Sequence, residues 1–420
     1  MTQQIEGMRH GRVPITESTR TLLCDFAAAD VERPLSRCED VDWDEVFQCV
    51  SRNGLLGLTY HYLRHQPEAD YPPDAFRAQV TDAHRLDALR MAFKYRHVLQ
   101  VLAYLSDRGL EFLVVKGIVV AHTVYPEASQ RPFNDLDLVV RERDWGRTHQ
   151  YLVEQGFVPQ EDMPELPPKV IPQAVLYELK YWHPEMGLMV EVHFDDILNA
   201  GLASRDVEGF WQRSKQVVVK GQSMRVMSAE DQLLHLCMHM HHHSYTRLNS
   251  LSDIVLIVRD HAADLDWKRF LQTVHTEQAE VGAYYSFLFV ECLLGQSLPS
   301  WVLEALKPGP IRRALHELWM PADRVLSLQP MWEPYFTFYF RPLLKRLLPD
   351  LLVMGRRGVK LWYMVRLLMP PRAWLRHHYH VDAQQWVGIH YVLHPLKLVF
   401  HYCSEIVQAV LYPRKWFAPD

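Results

Sequence analysis

The sequence predicts an α+β fold, a small mixed-sheet core flanked by N-terminal and C-terminal helical regions. Three observations carry this reading. Apolar residues recur at three and four spacing through residues 16–110, the mark of amphipathic helices. Between 110 and 200 the period shortens to β-branched runs bounded by glycine and proline. From Ser228 the helical period returns and holds to about residue 411. The expected division is therefore 1–109 helical, 110–227 the α/β core, and 228–420 helical.

In the first region the helical segments are TLLCDFAA, WDEVFQCVSRNGLLGLTYHYLRH and FRAQVTDAHRLDALRMAFKYRHVLQVLAYLSDRG, the last stopping at Gly109. LEFLVVKG then reads as a strand, IVVAHTVYP as a helix ending at Pro126, NDLDLVVR as a second strand, and RDWGRTHQYLVEQG as a helix ending at Gly156. After the proline-rich PQEDMPELPPKVIP, the segments VLYELKYW and GLMVEVHF flank the turn HPEM and predict a hairpin. SAEDQLLHLCMHMHHH opens on Ser228 with an acid three residues on, a capping arrangement.

A chain of 420 residues exceeds the length at which one core usually keeps growing, so two or three packed subdomains are expected. Hydrophobic residues are 48% and charged residues 23%, with no low-complexity tract. The net charge of −5 lacks the basic excess of a general nucleic-acid binder. Six scattered cysteines without a CxxC pair suit reduced thiols. The N-terminus has no apolar leader and no segment has the roughly 18 apolar residues of a membrane span, so the expectation is a cytoplasmic protein.

The stretch RPFNDLDLVVRERDW places Asp135 and Asp137 one residue apart in an apolar run. On a strand these two carboxylates share a face while Leu136, Leu138 and Val140 share the other. Carboxylates so placed repel unless a cation lies between them, and such a pair suits Mg²⁺ ions roughly 3.5 to 4 Å apart. In GLMVEVHF, Glu191 shares a polar face with Met189 and His193, which makes it the third carboxylate. Three acids on neighbouring strands fit phosphoryl or nucleotidyl transfer. Lys116 offers a point charge, Gly117 lets a phosphate approach a strand-to-helix turn, and Arg131 is a second anion partner. The plain alternative is a solvated outer strand face; the KG turn before the acidic pair and the E-x-H strand after it weigh against that.

FLVVKGIVVAHTVYPEASQRPFNDLDLVV, then VEVHFDDIL, then SAEDQLLHLCMHMHHHSYTRLNSLSDIVLIV together resemble the uncharacterised bacterial nucleotidyltransferase family of the DNA polymerase beta nucleotidyltransferase superfamily, over about residues 40 to 260. The superfamily's more usual glycine-serine turn is replaced here by Lys116 and Gly117. The resemblance implies a nucleotidyltransferase core with Asp135, Asp137 and Glu191 as catalytic and metal-binding residues for Mg²⁺ or Mn²⁺. Lys116, Gly117, Arg131, Asn134, His193 and His239 would then contact the nucleoside triphosphate, ATP in the first instance. The expected activity is transfer of AMP to a hydroxyl or phosphate of a small molecule, glycan precursor or peptide. Two further readings are a catalytically silent scaffold and a protein-modifying toxin-type nucleotidyltransferase.

His235, His239, His242 and His243 fall on one side of the helix that opens at Ser228, as a pocket lining, plain packing or a metal site. Arg247 and Asp253 would complete that wall, with Asp253 alternatively a helix-cap acid. The segment 341–376 holds nine Lys or Arg against the single acid Asp350, a solvated face or one that grips an anionic membrane or acceptor. P-loop, dinucleotide and serine-hydrolase motifs are absent.

Overall fold

The computed structural model of the chain describes residues 15–66, 71–160, 178–195, 197, 198, 204–328, 368–370, 372, 375, 376, 379, 381 and 386–411. The basic stretch 341–376 and the proline-rich 159–172 lie almost wholly outside the described residues.

Three helices open the described chain, α1 (Glu17–Ala27), α2 (Trp43–Arg52) and α3 (Leu56–His65), followed by the long α4 (Asp74–Asp107). The run 43–65 reads in sequence as one helix but is two, because Gly54 turns the chain at φ +67°. Asp42 caps α2 by accepting the amides of Asp44 and Glu45. The mixed region comprises β1 (Phe112–Val115), α5 (Gly117–Thr123), β2 (Asp135–Val140), α6 (Trp145–Glu154), β3 (Val158–Pro159), β4 (Glu178–His183) and β5 (Leu188–Phe194). Then come α7 (Val207–Arg213) and a hairpin the helical and strand periods had not disclosed, β6 (Lys215–Val219) with β7 (Gln222–Val226). The helical remainder is α8 (Ala229–His242), α9 (Leu248–Asp260), α10 (Trp267–Glu277), α11 (Glu280–Phe289), α12 (Ser300–Leu306), α13 (Pro310–Trp319), α14 (Ala322–Leu326) and α15 (His390–Leu411). The α+β expectation is borne out.

The main sheet runs β1-β2-β5-β4-β3. Its central pair, β2 and β5, is parallel and the outer pairs are antiparallel. Alternation along the strands gives the sheet two faces of different character. Leu136, Leu138, Val140, Val190, Val192 and Phe194 turn to one side and form a core with the second half of α4, including Val98, Val101, Leu102 and Leu105. On the other side Leu113, Val115 and Val139 join a larger core built from α1–α3 and α8–α12 together. The polar residues of β2 and β5 are on this second side, so the helices pack over them rather than leaving them to solvent.

Helix α9 is buried along nearly its whole length and is the axis of the helical mass. The first helix docks on it: the Ser252 hydroxyl donates to the Ala27 carbonyl at 2.7 Å and Arg259 to that of Ala28 at 2.8 Å. Among the described residues no helix is long and apolar enough to cross a membrane.

Candidate active site

Strand register builds the site. Val115 pairs with Asp137, Asp137 with Glu191, and Glu191 with Lys180, so these four side chains form one row across four strands, β1, β2, β5 and β4. One step along, Val139 pairs with His193, and one step back Asp135 pairs with Met189, all on the same face. Asp137, Glu191 and His193 each offer a ligand atom, and these atoms lie within 4.8 Å of one another. Asp135 shares the face but is not a member of that tight group.

Lys116 occupies the turn between β1 and α5 at φ 58°, ψ −135°, a backbone region costly for a residue with a Cβ. The strained turn aims its ammonium inward, where Nζ donates to Asp137 Oδ1 at 2.6 Å and lies 4.0 Å from Glu191 Oε2. Gly117 follows because a Cβ there would stand 2.7 Å from the Cβ of Phe133. The far side of Glu191 is held by Lys180, Nζ to Oε1 at 3.1 Å. His193 Nε2 sits 3.2 Å from Asp137 Oδ1, and its Nδ1 is buried without a hydrogen bond among the described residues.

Electrostatics follow from this packing. Burial pushes the Asp137 carboxyl up, but the Lys116 ammonium and the His193 contact outweigh it and hold the group below the usual carboxylate range. For Asp135 burial wins, and repulsion from Asp137 adds to it, so its proton affinity is raised. The same contest at Lys116 resolves upward: burial lowers its pKa, and the Asp137 and Glu191 charges more than restore it. Helix α8 roofs the face. Its N-cap is Ser228, whose hydroxyl accepts from the Asp231 amide at 3.2 Å. His235 donates from Nδ1 to the Ile197 carbonyl at 2.6 Å, which leaves Nε2 a bare, buried acceptor. Burial, then Lys116, bring its pKa down to about 3. His239, one turn on, is likewise held well below the ordinary histidine value by burial and by His243 and Lys116.

Arg131 is placed differently from its sequence expectation. Its guanidinium is spent on Asp253, Nε to Oδ1 and Nη2 to Oδ2 both at 2.8 Å, with Nη1 on the Pro132 carbonyl at 2.8 Å. Tyr125 adds its hydroxyl to Asp253 at 2.8 Å. Asp253 lies in the middle of α9 and is fully buried, so the helix-cap alternative is corrected: it is the counter-ion that ties the core strand region to α9. Asn134 leads directly into β2, and its carbonyl and that of Phe133 lie 3.5 and 3.3 Å from the amine of Lys94 on α4.

Sequence reasoning passed over Lys180, Lys94, Tyr125 and the separate role of His235. Lys180 was within reach. With HPEM as the hairpin turn it would stand opposite Met189, whereas the turn is one residue later and sets it opposite Glu191.

Residues 39–295 match the model of a family described as an uncharacterised nucleotidyltransferase. Among solved structures the chain is similar to an antigenic nucleotidyltransferase-like protein from Paracoccidioides brasiliensis, at 15% identity over 50% of this chain and 96% of that one, with a TM-score of 0.33. No curated protein matches. The matched span takes in well over half of the chain, and the chain belongs to the uncharacterised nucleotidyltransferase family.

Proposed function

We propose that this family member is a divalent-metal-dependent enzyme that moves a nucleoside monophosphate, AMP from ATP, to a hydroxyl or phosphate of a small molecule, glycan precursor or peptide, breaking the α–β phosphoanhydride bond and releasing pyrophosphate. The observation that carries the reading is the row of Asp137 and Glu191 on adjacent parallel strands with Asp135 on the same face. The donor set fits a cation, since two carboxylates and an imidazole bring ligand atoms within 4.8 Å of one another. Asp137 and Glu191 would hold the ion, Mg²⁺ or Mn²⁺, which supplies neutralisation of the triphosphate and polarisation at phosphorus.

The chain's own groups do the rest. Asp135, outside the tight cluster and with raised proton affinity, accepts the proton of the attacking hydroxyl. Lys116 supplies a positive charge to the phosphates from the turn between β1 and α5. His239 and His235, held neutral by burial, line the roof and donate or accept hydrogen bonds without adding charge.

Incubation of the protein with ATP labelled on the α-phosphate, a divalent ion and a metabolite extract should transfer label to an acceptor. The Asp137→Asn variant, which keeps size and removes the charge, should not. Equal labelling by the variant would reject the mechanism. The Lys116–Asp137 contact favours a second reading, a silent fold in which the ammonium permanently neutralises the acids. Absence of both ATP binding and label transfer would select it.

A further inference from the structure

Resting on the metal-dependent reading, we infer that His193 is the third protein ligand of the ion and that the site therefore selects Mn²⁺, a first-row ion tolerant of nitrogen, over Mg²⁺.

Three observations point this way. The described residues whose ligand atoms converge within 4.8 Å are two carboxylates and an imidazole, Asp137, Glu191 and His193, and not three carboxylates. His193 is 1% exposed, so its ring is committed to this interior and does not exchange with bulk water. One ring nitrogen already touches Asp137 Oδ1 at 3.2 Å, while the other is buried with no hydrogen-bond partner among the described residues. The nitrogen turned toward the carboxylates is therefore Nε2, whose contact with Asp137 Oδ1 a bound cation would replace. A second buried imidazole nitrogen, Nε2 of His235, is also without a partner on the roof of this site.

The donor chemistry decides which ion. Mg²⁺ demands oxygen ligands in a near-ideal octahedron and keeps several waters. First-row divalent ions accept a nitrogen donor, and Mn²⁺ is the one among them that also suits a carboxylate-rich shell, whereas Mg²⁺ keeps to oxygen. In the strand register, the place that would complete an all-oxygen set belongs to Asp135, paired with Met189 two residues behind Asp137. Asp135 is not among the residues whose ligand atoms converge in the cluster. His193, one register step ahead, is among them.

The test measures binding without nucleotide or turnover. Mn²⁺ is titrated into the full-length protein and into Asp137→Asn, His193→Asp and His193→Gln, with competition by Mg²⁺, and electron spin echo spectra of the Mn²⁺-loaded samples are recorded for ¹⁴N coupling. The expected result is ¹⁴N coupling in the wild type that disappears in both His193 variants. The Mn²⁺ over Mg²⁺ preference should fall on the order of tenfold or more in His193→Asp, whose ligands are all oxygen. If the wild type binds Mn²⁺ and Asp137→Asn does not, yet ¹⁴N coupling is absent or unchanged in the His193 variants, this inference is overturned while the metal-dependent reading stands. If the wild type binds no Mn²⁺, or Asp137→Asn binds it equally well, both fall. Should His193→Asp fail to fold, the ¹⁴N comparison with His193→Gln decides alone.

Discussion

Lys116 with Asp137 and Arg131 with Asp253 are both cation–carboxylate contacts shut away from water, yet they are built on opposite plans. Arg131 meets both oxygens of Asp253 in a planar fork, gives its remaining nitrogen to a carbonyl, and leaves Tyr125 to complete the acid. Lys116 reaches one oxygen, shares it with His193, faces a second acid 4.0 Å away, and does so from a strained backbone. The first arrangement is saturated and can only hold; the second is a set of single-oxygen contacts shared among Lys116, His193 and Lys180 and can exchange partners. Two cations that look alike in sequence thus separate into a fastener and a working charge.

The largest effect should come from breaking the fastener. Arg131→Ala strands Asp253 at zero exposure and should cost about 3–5 kcal/mol in denaturant unfolding. The double variant with Asp253→Ala should recover part of that loss, because it removes the orphaned charge as well. Equal destabilisation by Lys116→Ala would erase the distinction between the pairs.

Lys116→Ala is expected instead to act on ligand. Binding of a non-hydrolysable ATP analogue should weaken by about 1.5–3 kcal/mol, the worth of a charge-assisted contact, as read by calorimetry. Arg131→Lys, wherever it folds, should leave analogue affinity near that of the wild type, since the fork faces Asp253 and not the cluster.

Acid should sharpen the contrast further. The Asp137 carboxyl is held below its unfolded value, so its contribution is fully present above the unfolded pKa, near 4, and is lost as pH falls through the folded value. The limiting slope is about 1.4 kcal/mol per pH unit for one group. Unfolding measured at descending pH should show this limb in the wild type and a shallower one in Lys116→Ala, where the main cause of the lowering is gone.

The smallest effect isolates the backbone. At φ 58° glycine is at ease and alanine is not, so Lys116→Gly should be more stable than Lys116→Ala by about 1 kcal/mol. Identical stabilities would mean the turn stores no strain.

How much of this was legible depended on the range of the interaction. Asp135, Asp137 and Glu191 could be set on one face from alternation alone, because that period is local. The partnership of Arg131 with Asp253 spans 122 residues and no local period encodes it. The split of α2 from α3 was readable at Asn53-Gly54, where glycine takes a positive φ, yet the apolar period on either side hid it. The β6–β7 hairpin carried its own mark, Lys220-Gly221 with both residues at positive φ, between runs too short and too polar to outvote the helical pattern around them. Asp135 and His193 exchanged prominence because each is two residues from the central row, and neither alternation nor register says whose side-chain atoms close on Asp137 and Glu191.

The docking of α1 on α9 has a consequence for how the molecule comes into being. Leu22, Leu23 and Phe26 belong to the same core as Leu251, Ile254 and Val255. During synthesis the first helix leaves the ribosome more than 200 residues before its partner, a delay of roughly 10 to 50 s at ordinary elongation rates. Throughout that interval the apolar flank of α1 and the charged side of the sheet lack the cover α8 and α9 will provide. The nascent protein must therefore wait, chaperoned or loosely collapsed, and the face that bears Asp137 and Glu191 is covered only after the chain has passed residue 260.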